Sequence, residues 1–327
     1  MTLRYTLRQL EYFVAVGTYG SIAAASARVN VSSPSISAAV AQLEEEFGLS
    51  LFVRKHAQGL SLTKAGVRMM EQSQKILREA DLLNNMAGEI SGNVQGPMAI
   101  GCLATFAQFV MPKVRRAFEG KYPDVRITQF EMNQTEIFSH IRRAALDIAL
   151  SYDLDIPADL TFVPLVELPP YVLVGEDHPL AEKAELTVQQ LRDHDMVLLD
   201  LPMSGEYFLS FFTKAGIKPQ IAERTRDMAV MRSLVANGYG YSIANVRPLS
   251  SQSPDGERLV FIPLVGDVRQ MRMGLVMARG ADSTSTAKAF IAHCREQISA
   301  NGVPGIRIGR RGDDIGNGAA MQDATDA

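Results

Sequence analysis

Apolar residues at Leu7, Leu10, Phe13 and Val14 return at helical spacing and predict a first helix running to about Gly17. Ser21 is a good N-cap for a second helix, whose Ala23, Ala24, Ala25 and Ala27 let a neighbour approach closely. Ser32 caps a third, with Pro34 in the first turn, where the amides need no helical acceptor. Ile36, Val40 and Leu43 give that helix a buried face, and Gly48 reads as its stop. Leu51-Phe52-Val53 and Leu60-Ser61-Leu62 then bracket His56-Ala57-Gln58-Gly59, which predicts a hairpin with Arg54 and Lys55 at its bend.

From Thr63, a natural N-cap, a helical pattern runs to about Ser91. Met69, Ile76, Leu83 and Ile90 recur every seven residues, and Ser73, Ala80 and Ala87 fall between them, which predicts a two-stranded seam. A helix of about 28 residues spans about 40 Å, more than a small domain covers, so pairing with a second copy is expected.

Beyond a Gly- and Pro-bearing hinge at Ser91–Pro97, strands and helices alternate. Strands are expected at Met98–Cys102, Val125–Phe130 and Asp147–Ser151, with helices reaching Phe118 and covering Glu136–Ala145. A second set includes Tyr171–Val174, Met196–Leu199, Gln220–Arg224 and Tyr241–Ala244; Val260–Ile262 returns the chain and Met271–Met277 rejoins the first lobe. This is an open α/β arrangement of two lobes, with crossings near Pro164 and Leu264. Helix N-termini at strand ends would face a cleft between the lobes and favour an anion.

The expected domains are therefore a winged helix-turn-helix over 1–62, a linker helix over 63–91, and a two-lobed domain over 92–300. Lobe I takes about 92–164 and 265–300, and lobe II about 165–264. The Gly-, Ala- and Asp-rich tail over 301–327 is expected to be disordered.

Composition limits what this architecture does. The chain has 327 residues, enough for two or three domains, and a formal net charge of −3, so no global field draws it to nucleic acid. Residues 1–66 carry a net +2, so any such affinity is local. Cys102 and Cys294 fit no metal spacing. The five histidines are scattered, and neither an H-E-x-x-H helix nor a G-x-S-x-G elbow is present. Gly238-Tyr239-Gly240 precedes a strand rather than a helix. No enzyme activity, metal or cofactor is expected. The N-terminus lacks a signal core and no apolar run has membrane-spanning length, so a cytoplasmic protein without a membrane partner is expected.

The candidate chemistry sits at the tip of the third helix. Ser32, Ser33, Pro34, Ser35, Ser37 and Ala38 are short enough to let a helix N-terminus approach bases and phosphates, with Gln42 one turn further on. Arg54, Lys55 and Thr63 would hold flanking phosphates in double-stranded DNA. With Ser21, Ala24-Ala25, Pro34, Ser37, Leu43-Glu44, Gly48, Leu51-Phe52, Arg54 and Leu62-Thr63 through Gly66, this pattern resembles the LysR-type transcriptional regulators, from about Leu7 to about residue 300. The family often has Gln where this chain has Ser33, and a basic or polar residue at Ala38, so base reading here leans more on DNA shape and on the wing.

The resemblance implies a periplasmic-binding-protein-like second domain that responds to a small carboxylate-bearing metabolite. By correspondence it points to Thr105, Asn133, Gln134, Ser204, Tyr207, Asp227, Met228 and Asn245 as effector contacts, each of which is otherwise a cap or turn residue. It also implies pairing along the linker helix, assembly as a dimer of dimers, and RNA polymerase as a further partner. Asp147 and Cys102 read as structural. The competing reading is a cytoplasmic solute-binding protein or enzyme that uses its winged helix for protein contact.

Overall fold

The computed structural model describes residues 4–55, 59–90, 94–299 and 302–308. Three helices open the chain: α1 (Leu7–Tyr19), α2 (Ile22–Val29) and α3 (Ser33–Phe47). Each start is capped by a side-chain oxygen. Thr6 forms a reciprocal capping box with Gln9, Ser21 accepts from the Ala24 amide and Ser32 from the Ser35 amide. Gly20, Asn30 and Gly48 end the three helices in the left-handed conformation. The apolar stripes meet as two small cores, one around Val16, Ala25, Ile36 and Val40, the other around Leu10, Phe13, Leu43 and Leu51.

A two-stranded wing follows, β1 (Phe52–Lys55) antiparallel to β2 (Gly59–Leu62), and then α4 (Lys64–Ile90). Gly66 is needed where α4 leaves the wing: a Cβ there would stand 2.1 Å from the Leu51 carbonyl oxygen.

Lobe I is a five-stranded sheet with, in spatial order, Val125–Met132, Gly96–Leu103, Ile148–Tyr152, Met271–Ala278 and Leu160–Leu168. It starts with β3 (Gly96–Leu103), α5 (Ala104–Ala107), α6 (Met111–Lys121), β4 (Val125–Met132), α7 (Gln134–Arg142), β5 (Ile148–Tyr152) and β6 (Leu160–Leu168). The strands β3, β4 and β5 run parallel, as βα crossovers require. Lobe II contains β7 (Tyr171–Gly175), β8 (Asp195–Leu199), α8 (Ser204–Lys214), β9 (Gln220–Thr225), α9 (Met228–Ala236), β10 (Ser242–Ala244), β11 (Arg247–Pro248) and β12 (Leu259–Pro263). Here β7 lies between β10 and β12, while β8 pairs with β9 and touches the start of the β10 segment through a Met196–Tyr241 bridge. The chain then returns to lobe I through β13 (Met271–Ala278), antiparallel to both β5 and β6, and α10 (Ser285–Gln297), and closes on β14 (Ile306–Arg307).

Two features differ from the sequence-based expectation. The first crossing lies at Pro169-Pro170, not Pro164, which sits inside β6. That strand forms the sheet edge, where proline's missing donor is tolerated, and its ladder with β13 shifts register at Met273/Gly274. Residues 302–308, expected to be structureless, are packed. Val303 and Ile306 are buried and β14 pairs antiparallel with β11 of lobe II. Gly305 sits so close to lobe I that a Cβ would stand 2.0 Å from the Phe109 carbonyl oxygen. Three apolar residues among glycines carry no periodicity, which hid this segment. The remainder of the expected tail, 309–327, lies outside the described residues.

Among the described residues no helix is long and apolar enough to cross a membrane. Cys102 and Cys294 are buried and unbridged in lobe I. Burial pushes both thiols up, that of Cys102 with help from the Glu131 charge, away from the thiolate a redox switch needs.

Candidate functional site

The N-terminal turn of α3 projects from the small domain. Ile36, Ala39, Val40 and Leu43 are buried, so the opposite face must point to solvent. Ser32, Pro34, Ser35, Ser37, Ala38 and Gln42 are all exposed, and Ser33 is half-buried. The Ser32 and Ser35 hydroxyls lie 2.7 Å apart, so they fix each other's rotamers at the helix start. Gln42 accepts from Gln9 Nε2 at 2.8 Å, which ties the exposed face of α3 to α1.

Glu44, on the same helix, explains the Leu43-Glu44 pair in the sequence. Its Oε1 accepts from the amides of Leu51 and Phe52 at 2.6 and 3.2 Å, so the carboxylate locks the wing to α3. Sequence reasoning gave this glutamate no role; the signal was an acidic residue just before the Gly48 stop. Thr63 is the reverse case. Its hydroxyl donates to the Ser50 carbonyl at 2.8 Å and accepts from the Gly66 amide at 2.8 Å. It caps α4 and leaves no proton for a phosphate. The backbone of Arg54 and Lys55 lies in β1; their side chains lie outside the described residues.

The linker helix serves two purposes along its length. Met69 and Ile76, expected in the pairing seam, are half-buried and pack beside Met70 and Leu77 against the Leu10–Phe13 core; Ser73 is fully enclosed. Leu83, beyond the reach of the small domain, is 68% exposed, and Val67 near the start of the helix is exposed too. The Ile90 side chain lies outside the described residues.

The expected effector residues divide into caps, core and tethers. Asn133 caps α7 in a reciprocal box with Glu136, and Asp227 caps α9 through the Ala229 and Val230 amides. Met228 is buried in the lobe II core. Gln134 is buried, its Nε2 donating to the Tyr152 and Leu154 carbonyls at 3.2 and 2.6 Å. Tyr207 donates from its hydroxyl to the Arg269 carbonyl, and Asn245 Nδ2 donates to the Leu168 carbonyl at 2.7 Å and the Tyr207 hydroxyl at 3.3 Å. Ser204 begins α8 and is buried. Thr105 is buried beside Tyr152, near enough to favour that phenol's ionised form but without closing a well-formed bond. Burial outweighs that influence and raises the Tyr152 phenol far above its ordinary range, so the ring stays neutral.

Three polar atoms in this group have no hydrogen-bond partner: Thr105 Oγ1, Gln134 Oε1 and Asn245 Oδ1. Each is a buried oxygen whose hydrogen-bonding capacity is unmet.

Sequence reasoning missed the clamp below them. Asp153, just after β5, accepts at 2.8 Å from the Arg272 amide on one oxygen and from Arg272 Nε on the other. Arg269 Nη2 stands 3.3 Å from the same carboxylate and donates to the Asp153 carbonyl at 2.8 Å. Burial pushes this carboxyl up, but the bonds from Arg272 and the charge of Arg269 outweigh it and hold it below the ordinary carboxylate range. The Asp153–Arg269–Tyr207–Asn245 chain thus joins lobe I, the second crossing and lobe II.

Comparison with known proteins agrees with this geometry. Residues 7–67 match the family model for the bacterial regulatory helix-turn-helix protein, lysR family, and residues 91–299 match the LysR substrate binding domain. The crystal structure of HinK, a LysR family transcriptional regulator from Pseudomonas aeruginosa, is 33% identical over 91% of this chain and all of that one, with a TM-score of 0.62. The regulator CysB of Haemophilus influenzae is 30% identical over 244 residues, covering 72% of this chain and 74% of its own. Full-length CbnR, solved in complex with its target DNA, shares the fold at 22% identity over 89% of this chain and 99% of its own, with a TM-score of 0.62. The chain belongs to the LysR family of transcriptional regulators, with an N-terminal helix-turn-helix and a C-terminal effector-binding domain.

Proposed function

We propose that this protein binds promoter DNA through the α3 tip and wing of paired copies, and that a small acid held between the lobes alters that contact. The observation that carries the reading is the exposed, serine-edged start of α3, rigidly joined to the wing by Glu44. Ser33, Pro34, Ser35, Ser37 and Ala38 present a thin edge to the major groove, and Arg54 and Lys55 supply phosphate contacts alongside it. Leu83 belongs to the surface that pairs two copies, which sets two recognition helices for two half-sites. Assembly as a dimer of dimers, with RNA polymerase as a downstream partner, follows the family pattern.

For the effector, the leftover oxygens refine the expectation of a carboxylate-bearing metabolite. The Thr105 hydroxyl can donate to a carboxylate, whereas Gln134 Oε1 requires a donor. The ligand is therefore an acid that also carries a hydroxyl or amine. Any shift in DNA contact equals the ligand's preference for one lobe arrangement over another. A gel shift on the DNA upstream of the gene, run with a set of small hydroxy and amino acids, tests both parts. At least one acid should change the complex, and Thr105→Val should blunt that response at unchanged DNA affinity. A normal response in the variant moves the effector site elsewhere.

A further inference from the structure

Besides the two crossings, a third link joins the lobes. The chain leaving α10 of lobe I folds back through a bridge between Ser299 and Gly302, and a second bridge pairs Val303 with Ile306. Ile306 and Arg307 then lie antiparallel to Pro248 and Arg247 of lobe II, and Arg307 Nη2 donates to the Leu249 carbonyl at 3.5 Å. So short a ladder does not hold a chain end by itself. The burial of Val303 and Ile306 in the main core does.

Where this segment lands gives it a use. In lobe I it covers the backbone of Phe109, close behind Thr105 in the chain. In lobe II it pairs with β11, close behind Asn245. Phe109 is itself a link, a half-buried lobe I side chain packed against the lobe II cluster that contains Met228 and Phe261. Only glycine permits the approach to its carbonyl, because Gly305 holds φ at +78° and a Cβ would overlap that oxygen. The two anchors are consecutive residues: Gly305 rests on lobe I and Ile306 pairs with lobe II. Their Cα atoms stand about 3.8 Å apart, so the chain between the anchors has no slack.

We propose that residues 302–308 are a strap that holds the two lobes in the arrangement of this structure and so sets the resting state of the cleft. A rotation of one lobe against the other carries Phe109 away from β11, and the strap must let go of one of them. It biases the arrangement because it is fully seated in only one. Its consequence at the promoter rests on the reading of the cleft as the effector site; its hold on the lobes does not.

Gly305→Ala tests the strap, with Gly280→Ala as the control. Both glycines have left-handed backbone, at φ +78° and +79°, but a methyl at 280 meets nothing within 4 Å. Spin labels on Glu182→Cys in lobe II and Lys288→Cys in lobe I, both exposed, read the distance between lobes, while Cys102 and Cys294 are buried. The full chain is used, with labelled copies diluted into unlabelled ones so that only intrachain distances are read. Gly305→Ala should shift or split the distribution, lowering the weight of the wild-type distance against the rest by roughly tenfold. Gly280→Ala should leave it unchanged. Deletion of 302–327 should act like Gly305→Ala and deletion of 309–327 like wild type, which keeps the test open should Gly305→Ala fail to fold. A wild-type distribution after the longer deletion overturns the strap, and so does an equal shift in Gly280→Ala. A distribution that shifts as expected while no acid alters the promoter complex upholds the strap and removes the effector reading. A promoter response with an unmoved distribution does the reverse.

Discussion

The α3 tip and the cleft between the lobes are both expected to touch a partner, yet they are built on opposite plans. At the tip, internal bonds satisfy the helix start and the functional face is what the core leaves outside. At the expected effector positions, residues of similar chemistry are drawn inward: Gln134 spends its donor within lobe I, Tyr207 and Asn245 spend theirs on the crossings, and Gln134 Oε1 and Asn245 Oδ1 are left over. A surface that meets a rigid polyanion is best preformed, whereas a site that reports on a metabolite must share its atoms with the hinge it moves.

The largest expected effect separates these plans at the clamp. Asp153→Ala leaves the half-exposed Arg269 and Arg272 without their shared carboxylate and should destabilise the effector domain by about 2–3 kcal/mol, read as a lower urea midpoint, with the helix-turn-helix unaffected. The same carboxyl sets an acid limb. Its native value is depressed, so its stabilisation is fully present above the unfolded carboxylate range and is lost as pH falls through the folded value. Asp153→Asn should flatten that limb in pH-dependent melts; an unchanged limb would remove Asp153 from the hinge account.

Next comes the joint between wing and linker. Gly66→Ala forces a methyl onto the Leu51 carbonyl and should cost about 1–3 kcal/mol in the small domain, seen as faster amide exchange across α4's first turn. A stable variant would show that this joint has slack. Ser32→Ala removes a cap and should cost about 1 kcal/mol, with a matching loss of DNA affinity but no change in effector response. The smallest change is expected for Arg54→Ala, which should reduce the slope of log affinity against log salt by about one phosphate contact. An unaltered slope would detach the wing from the DNA contact.

Legibility followed the same division. Helices α1 to α4 and the N-caps of α2 to α4 were readable because the deciding interactions lie within four residues, as between Ser32 and Ser35 or Thr63 and Gly66, whereas the Thr6 cap of α1 went unread. The alternation of strands was readable for β3 and β7, whose continuous apolar runs mark buried strands. What escaped depends on partners far along the chain. β6 was lost because Pro164 reads as a break until its edge position is known, and 302–308 because its value lies in Phe109 and β11. Asp153 could not be read without Arg269 and Arg272, more than a hundred residues away. The cleft residues were chosen by family correspondence at helix starts, which is also where caps belong, so Asn133 and Asp227 turned out to be occupied at home.

The most direct test of the account is a nuclease protection experiment on the protein's own promoter at physiological ionic strength. Two protected patches separated by about one or more whole turns of the duplex, with Ser35→Glu abolishing both, are the predicted result. Protection no stronger than on random duplex, or a pattern that survives Ser35→Glu, would contradict the assignment of α3 as the reading helix.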